Sequence, residues 1–169
     1  MEGYFGMTKL IESERLILRN FKLSDIKPYF QMTQDKSIQA FVPYACVSNY
    51  FEAFTRIFKF KHCDFKNDYY IAIEEKNSKK LIGAIIATRT QQAKFDMNIL
   101  LSPTSRGKRY MSEALKAFIQ TIPPNTELVF VIDKTNIASI NTVSRIPNIK
   151  EEPFTGHIGT LMCKYSLKV

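Results

Sequence analysis

The stretch best suited to chemistry is Arg106-Gly107-Lys108-Arg109-Tyr110-Met111-Ser112, a basic loop that runs into an apolar-periodic segment. The first turn of a helix carries unpaired N–H groups and the positive end of the dipole, so a loop entering it can hold a pyrophosphate. Arg106, Lys108 and Arg109 add formal positive charge. The same residues also suit an ordinary basic surface loop, and on their own they leave both readings open. Upstream, Asp96 and Asn98 alternate with Phe95, Met97, Ile99 and Leu101, which puts a carboxylate and an amide beside Leu100 on one face of a strand. Downstream, Asn136 stands before Ile137, Ile140, Val143 and Ile146 at helical spacing and suits an N-cap, with Ser139 one turn on. The remaining nucleophiles and ligands form no set. Cys46, Cys63 and Cys163 are far apart, and neither His62 nor His157 has partners at a meaningful spacing, so no metal or acyl-enzyme is expected.

These groups need elements to position them. Alternation predicts strands over residues 15–21, 69–74, 81–87 and 95–101, with Asn77-Ser78 as the turn of a hairpin. Ser24-Asp25 can cap a helix over residues 25–35, and a second helix is expected over residues 48–61. In that second helix Phe51, Phe54 and Phe58 recur three and four apart, the spacing of a core-facing stripe. Met111, Ala114, Leu115, Phe118 and Ile122 repeat at helical spacing until Pro123-Pro124 stops the helix. A short buried strand follows at 128–132, then the helix capped by Asn136 and stopped by Pro147, then a final strand at 160–167. Strands that pair as hairpins in the middle and alternate with helices later indicate a mixed α/β domain around one central sheet.

Composition bounds the rest. A chain of 169 residues, 45% hydrophobic with 13 Phe and 8 Tyr, suits one domain with one core, placed at residues 7–169 behind a short extension, 1–6, with Met7 as an alternative start. No apolar run approaches the roughly 18 residues of a membrane span, and the first residues lack the pattern of a signal peptide, so a cytoplasmic protein is expected. A formal charge of +8 favours a polyanionic partner such as nucleic acid, a ribosome or a phosphorylated cofactor, without choosing among them.

Arg-Gly-Lys-x-Tyr-x-x-Glu-Ala-Leu at positions 106–115 resembles the acetyl-CoA loop of the GNAT acetyltransferases. Ser13-Glu14-Arg15-Leu16-Ile17-Leu18-Arg19 resembles the opening of the branch that includes the ribosomal-protein N-terminal acetyltransferases, and Leu81-Ile82-Gly83 resembles its middle hairpin. Residues 96–103 resemble the strand before the loop, and Asn136-Ile137-Ala138-Ser139-Ile140 resembles the family's Asn-x-x-Ser segment. The resemblance implies a GNAT fold, a twisted and mostly antiparallel sheet splayed at the cofactor site and flanked by helices. It implies acetyl-CoA as co-substrate, with pantetheine held by the main chain of Leu100 and Leu101. The phosphates would rest on the amides of Gly107, Lys108, Arg109, Tyr110, Met111 and Ser112, beside Arg106. Asn136 would sit near the arm or the thioester, with Ser139 along the same helix. Asp96 falls where the branch often has a glutamate and would take a proton through water; a backbone N–H near Leu101 would serve the oxyanion.

Departures from the pattern are local. Arg109 and Met111 replace the two small residues of the usual loop, Ile146-Pro147-Asn148 stands where Leu-Gly-Phe is usual, and Val143 falls where many members carry an acid tyrosine. The implied reaction is acetyl transfer to a primary amine, a peptide N-terminus or a small molecule, by direct attack in a ternary complex. The acceptor would be chosen by residues 25–66 and 151–165, whose basic and aromatic character suits an amine that carries an acidic group. Ribosome association, a monomer or a homodimer are compatible with the branch; DNA and membrane partners are not expected. The competing readings are an inactive GNAT-fold sensor of a CoA ester, which Arg109 and Met111 favour, and an RNA- or ribosome-associated binding module, which the charge favours.

Overall fold

The computed structural model describes residues 10–62, 68–155 and 161–169. The alternative start and the extension at 1–6, together with Cys63 and His157, lie outside the described residues. Eight strands form one sheet, β1 (Ile11–Glu12), β2 (Leu16–Arg19), β3 (Asp68–Glu75), β4 (Lys80–Gln91), β5 (Lys94–Leu101), β6 (Glu127–Asp133), β7 (Lys150–Thr155) and β8 (Leu161–Lys168). Their order is β1-β2-β3-β4-β5-β6-β8-β7, antiparallel at every step except β5 to β6. Five helices flank it: α1 (Ile26–Thr33), α2 (Lys36–Phe41), α3 (Tyr50–Lys61), α4 (Tyr110–Ile119) and α5 (Ile137–Val143). The mixed α/β architecture expected from the sequence is the observed one, and two expectations are refined. The segment expected as one helix over 25–35 is followed by a separate α2, because Asp35 stops α1 and its carboxylate accepts the N–H groups of Ser37 and Ile38 at the start of the next helix.

Both faces of the sheet are covered. Odd-numbered residues of β3 and β5, among them Ile71, Ile73, Phe95 and Met97, meet Met111, Leu115 and Phe118 of α4 in one core. Even-numbered ones, among them Tyr70, Ala72 and Leu100, meet Tyr29, Ile57 and Phe60 of α1 and α3 in the other. The second refinement concerns α3. Phe51 (77% exposed), Phe54 (44%) and Phe58 (50%) face solvent, and the stripe against the sheet is Ala53, Ile57 and Phe60. Helical spacing alone defines both stripes; the sheet takes the one whose small Ala53, at 0% exposure, lets the helix approach closely.

The parallel pair sets the shape of the centre. β5 and β6 pair only over Lys94, Phe95 and Asp96 against Glu127, Leu128 and Val129, and then part. A bulge opposite Ile73 and Glu74 distorts β4 next to Gly83, whose partner in β5 is Leu101. A Cβ at Gly83 would run into the Leu100 carbonyl oxygen, so no larger residue fits this crossing without displacement.

Candidate functional site

The ladder decides which backbone groups face the opening between β5 and β6. The Ser102 N–H donates to the Ile82 carbonyl at 2.7 Å, one step beyond the Gly83–Leu101 pair. Hydrogen-bonded positions alternate along an antiparallel pair, so Leu100, Asn98 and Asp96 spend their main-chain groups on β4. Met97, Ile99 and Leu101 turn theirs the other way, where β6 has already left. The expectation for Leu100 is corrected to this extent: its main chain is spent on β4, while Ile99 and Leu101 turn theirs to the opening. The Leu101 carbonyl already accepts Nε of Arg106 at 3.3 Å, which leaves its N–H for the opening.

Arg106 has partners of its own. Its guanidinium donates to Oγ of Ser37 at 2.9 Å and to Oδ1 of Asp35 at 3.0 Å. Its N–H goes to the Pro103 carbonyl. Arg106 thus straps the loop to the start of α2 through its ion pair with Asp35. Ser37 first and Arg106 next hold the Asp35 carboxyl below the usual range.

Beyond Arg106 the chain opens into an anion cradle. Gly107 (φ 76) and Arg109 (φ 62) both take the left-handed conformation, and α4 begins at Tyr110. An L-residue in that conformation costs about 1–2 kcal/mol relative to the right-handed one, so Arg109 carries the strain that glycine avoids. Among the described residues, no protein group accepts the N–H groups of residues 107–112, and no side chain caps α4. The replacements at the small positions leave this cradle open. Met111 is buried at 5% and packs into the core beneath. The Arg109 side chain is exposed and lines, with Ser112 and Arg145, a cavity of about 410 Å³ at the helix start. Among the described residues neither arginine is paired with a carboxylate. Arg145 was not singled out in the sequence; only the packing of α5 beside α4 reveals it.

Tyr110 contributes nothing but its N–H. Its ring is buried beneath the Arg15 guanidinium, 4.6 Å from the centroid, and its hydroxyl donates to Oε1 of Glu75. Lys108 stays at the surface, 5.8 Å from the same centroid. Behind the cradle the two sequence motifs lock together. Glu113 accepts Oγ of Ser13 at 2.7 Å, the Arg15 N–H at 2.8 Å and Nε of Arg15 at 2.8 Å. Burial pulls the Glu113 carboxyl upward, but Ser13 and Arg15 together hold it below its ordinary value of 4.5. A depressed folded pKa gives stability that is present above the unfolded value and lost as pH falls through the folded one. Glu113→Gln is therefore expected to lose about 1–2 kcal/mol near neutrality. In urea titrations that gap should shrink as pH falls below 4.5 and close once the folded-state carboxyl is protonated. A gap that persists in acid would contradict the assignment.

On the other face, Asp96 stands where β5 and β6 part, exposed, and Asn98 lies two residues on. The Tyr44 hydroxyl donates to Oδ1 of Asn98, a contact made by a turn (Pro43–Ala45) that the sequence did not mark. Desolvation of that hydroxyl, then the negative charge of Asp96, push its pKa up to about 12, so it keeps its proton at neutral pH. Asn136 caps α5, its Oδ1 accepting the Ser139 N–H at 3.2 Å. That use leaves the Asn136 amide N–H groups uncommitted, and it leaves Ser139 with its hydroxyl. Val143 is fully buried and its position carries no acid. Among the described residues there is no His, Cys, Asp and Glu group that could hold a metal, and Cys46 and Cys163 are free thiols.

A sheet that opens between its parallel strands onto a helix start with unclaimed N–H groups is built to hold an elongated, anionic ligand. The sequence profile described as Acetyltransferase (GNAT) domain matches residues 15–146, and the chain belongs to the GNAT acetyltransferase family. The fold agrees with solved structures. A GNAT-family acetyltransferase from Bacillus anthracis superposes with TM-score 0.76 at 17% identity, over 95% of this chain and 98% of that one. RimL, a ribosomal L7/L12 alpha-N-protein acetyltransferase in complex with coenzyme A, gives 0.77 at 15% identity, over 95% and 98%. Spermidine N-acetyltransferase from Vibrio cholerae, in complex with CoA and spermine, gives 0.70 at 14% identity, over 92% and 96%. Comparison with curated protein sequences gives no significant match. No helix among the described residues is long and apolar enough to cross a membrane.

Proposed function

We propose that this chain, as one domain over residues 7–169, transfers the acetyl group of acetyl-CoA to the nitrogen of a primary amine in a ternary complex. The observation that carries the reading is the run of unclaimed N–H groups over residues 107–112 at the mouth of the opening, flanked by unpaired Arg109 and Arg145. Pyrophosphate on such a run gains charge-assisted hydrogen bonds from backbone that has no other partner. The neighbours bound to CoA support the same cofactor. The buried Met111 and the left-handed Arg109 weigh against a decayed, inactive loop.

Acetyl-CoA supplies the thioester; the chain supplies the surroundings. The N–H groups of Ile99 and Leu101 would meet pantetheine or the carbonyl oxygen, and donors there stabilise the charge that develops on that oxygen during attack. Asp96 would accept the amine proton through water as the C–N bond forms and the C–S bond breaks. The thiolate leaves and takes a proton from water, and Asn136, at the start of α5 beyond β6, would lie near it. The products are an acetamide and free CoA.

Release of CoA thiol across a panel of amines and peptide N-termini tests the reading. Turnover that depends on the amine supports it, and acetyl-CoA left intact with every acceptor counts against it. In such an assay Asp96→Asn is expected to lower kcat/KM by about 100-fold and to flatten the acid limb of the pH profile. An unchanged profile would remove Asp96 as the base.

A further inference from the structure

A second cavity, of about 570 Å³, lies between α3, the Tyr44 turn and the sheet face of β3 to β5. Its lining includes Asn98 of β5, the aromatic residues Phe51, Phe60 and Tyr70, and Arg56 and Lys59 of α3. The Phe60 and Tyr70 rings stack on each other, 4.3 Å apart at 16°, and at 4% and 8% exposure they form an apolar floor. Phe51, at 77% exposure, stands open at the rim.

The charges in this cavity are unevenly satisfied. Glu52 also lines it and keeps its negative charge, its carboxylate accepting the Ser48 N–H at 2.8 Å in front of α3, so two cations stand against one carboxylate. Arg56 donates to the Tyr44 carbonyl at 2.7 Å, and its guanidinium also engages the Tyr29 hydroxyl. Among the described residues neither Arg56 nor Lys59 has a carboxylate partner. Two cations, one carboxylate and an apolar floor therefore share one space that is also lined by Asn98, two residues from Asp96.

We propose that this cavity is the acceptor site and that it takes a small primary amine built on a flat apolar body with an anionic group, a carboxylate or a phosphate, at the far end. The amine lies toward Asn98 and Asp96, the body along Phe60, Tyr70 and Phe51, and the anion against Arg56 and Lys59. The assignment of the amine end rests on the acetyltransferase reading; the anionic end rests on the cavity alone. Polyamines are rejected, because their second cation would meet Arg56 and Lys59.

The test compares 4-(aminomethyl)benzoate, 4-(aminomethyl)phenyl phosphate, benzylamine, spermidine and a peptide with a free acidic N-terminus in the thiol-release assay. The benzoate or the phosphate is expected to exceed benzylamine in kcat/KM by about tenfold or more, the size of one charge-assisted contact. The ratio between the two identifies which anion the site prefers. Lys59→Glu, at an exposed position of α3, should erase the advantage of the anionic amines over benzylamine. Calorimetry of the same anionic amines against wild type and Lys59→Glu supplies a readout that needs no turnover. Saturable binding that the variant loses supports the cavity assignment even where no thiol is released, in which case the acetyltransferase reading alone fails. Preference for benzylamine, spermidine or the peptide overturns the assignment while that reading stands. So does an anionic amine that neither binds nor reacts, or one whose advantage survives Lys59→Glu.

Discussion

Arg19→Ala is expected to destabilise the protein by about 3–5 kcal/mol, the range for removing one partner of a buried ion pair. Arg19 is 6% exposed and holds both oxygens of Asp25, at 2.7 and 2.9 Å, and Oε2 of Glu74 at 2.5 Å. Asp25 is 3% exposed and Glu74 8%, so the variant strands two carboxylates away from water. The nearest replacement cation, Lys22, lies 3.6 Å from Glu74 but is itself largely exposed. Burial alone would push the Arg19 pKa down; Asp25 and then Glu74 raise it beyond its ordinary value. The same network ties the start of α1 to β2 and β3, and the Asp25 carboxylate also accepts the Lys22 N–H at 2.8 Å. Arg19→Lys should recover part of the loss, since one ammonium cannot reproduce the bidentate fork and still reach Glu74. Urea unfolding of the variants measures both. A loss under about 1 kcal/mol for Arg19→Ala would mean that water or protonation already relieves these carboxylates.

Replacing Arg109 and Arg145 together by glutamate is expected to raise the KM for acetyl-CoA by about 100-fold or more. Each arginine lines the cavity at the start of α4, and a charged hydrogen-bond partner contributes about 1.5–3 kcal/mol, so two of them span at least two factors of ten. Both side chains are exposed and unpaired, so the fold should tolerate the change, and relief of a carboxylate-free surface charge should leave unfolding within about 0.5 kcal/mol. Arg106→Glu is the contrasting case. Its guanidinium is held by Asp35 and Ser37, so it should loosen the loop and α2 together and lower stability as well as affinity. Equal effects of the two replacements on affinity and stability would mean that Arg109 and Arg145 are also struts.

Local signals made the frame of this protein legible. The period-two pattern of β5, the basic loop and the apolar stripe of α4 are contiguous, and contiguous physics is what a sequence displays. Asp35 also carried its signal, an acidic N-cap two residues before Ser37, but the helical spacing of Ile26, Tyr29 and Phe30 masked it. In α3 the spacing rule was satisfied twice over, and large aromatic residues were an attractive but wrong guide to the buried side. Small Ala53 marks the close approach, and its role exists only against the sheet.

What stayed hidden depends on residues far apart in the chain. Arg106 shows only its charge until Asp35 is seen beside it, 71 positions away. Arg145 meets Arg109 and Ser112 only because α5 packs against α4. The choice between Leu100 and Ile99 turns on the parity of a ladder fixed by Ser102 and Ile82, which alternation of side chains does not reveal. Val143 and the exposed Phe51 show the same limit from opposite sides, one buried where a catalytic group is common and one open where a core residue was expected.

Calorimetric titration of acetyl-CoA into the purified protein tests the central claim most directly. The cradle over residues 107–112 predicts saturable binding at one site, in the range of about 1 μM to 1 mM usual for enzyme substrates. Added salt should weaken it, as expected for phosphates facing Arg109 and Arg145. Absence of any binding heat at millimolar acetyl-CoA, with the protein folded, would contradict the account.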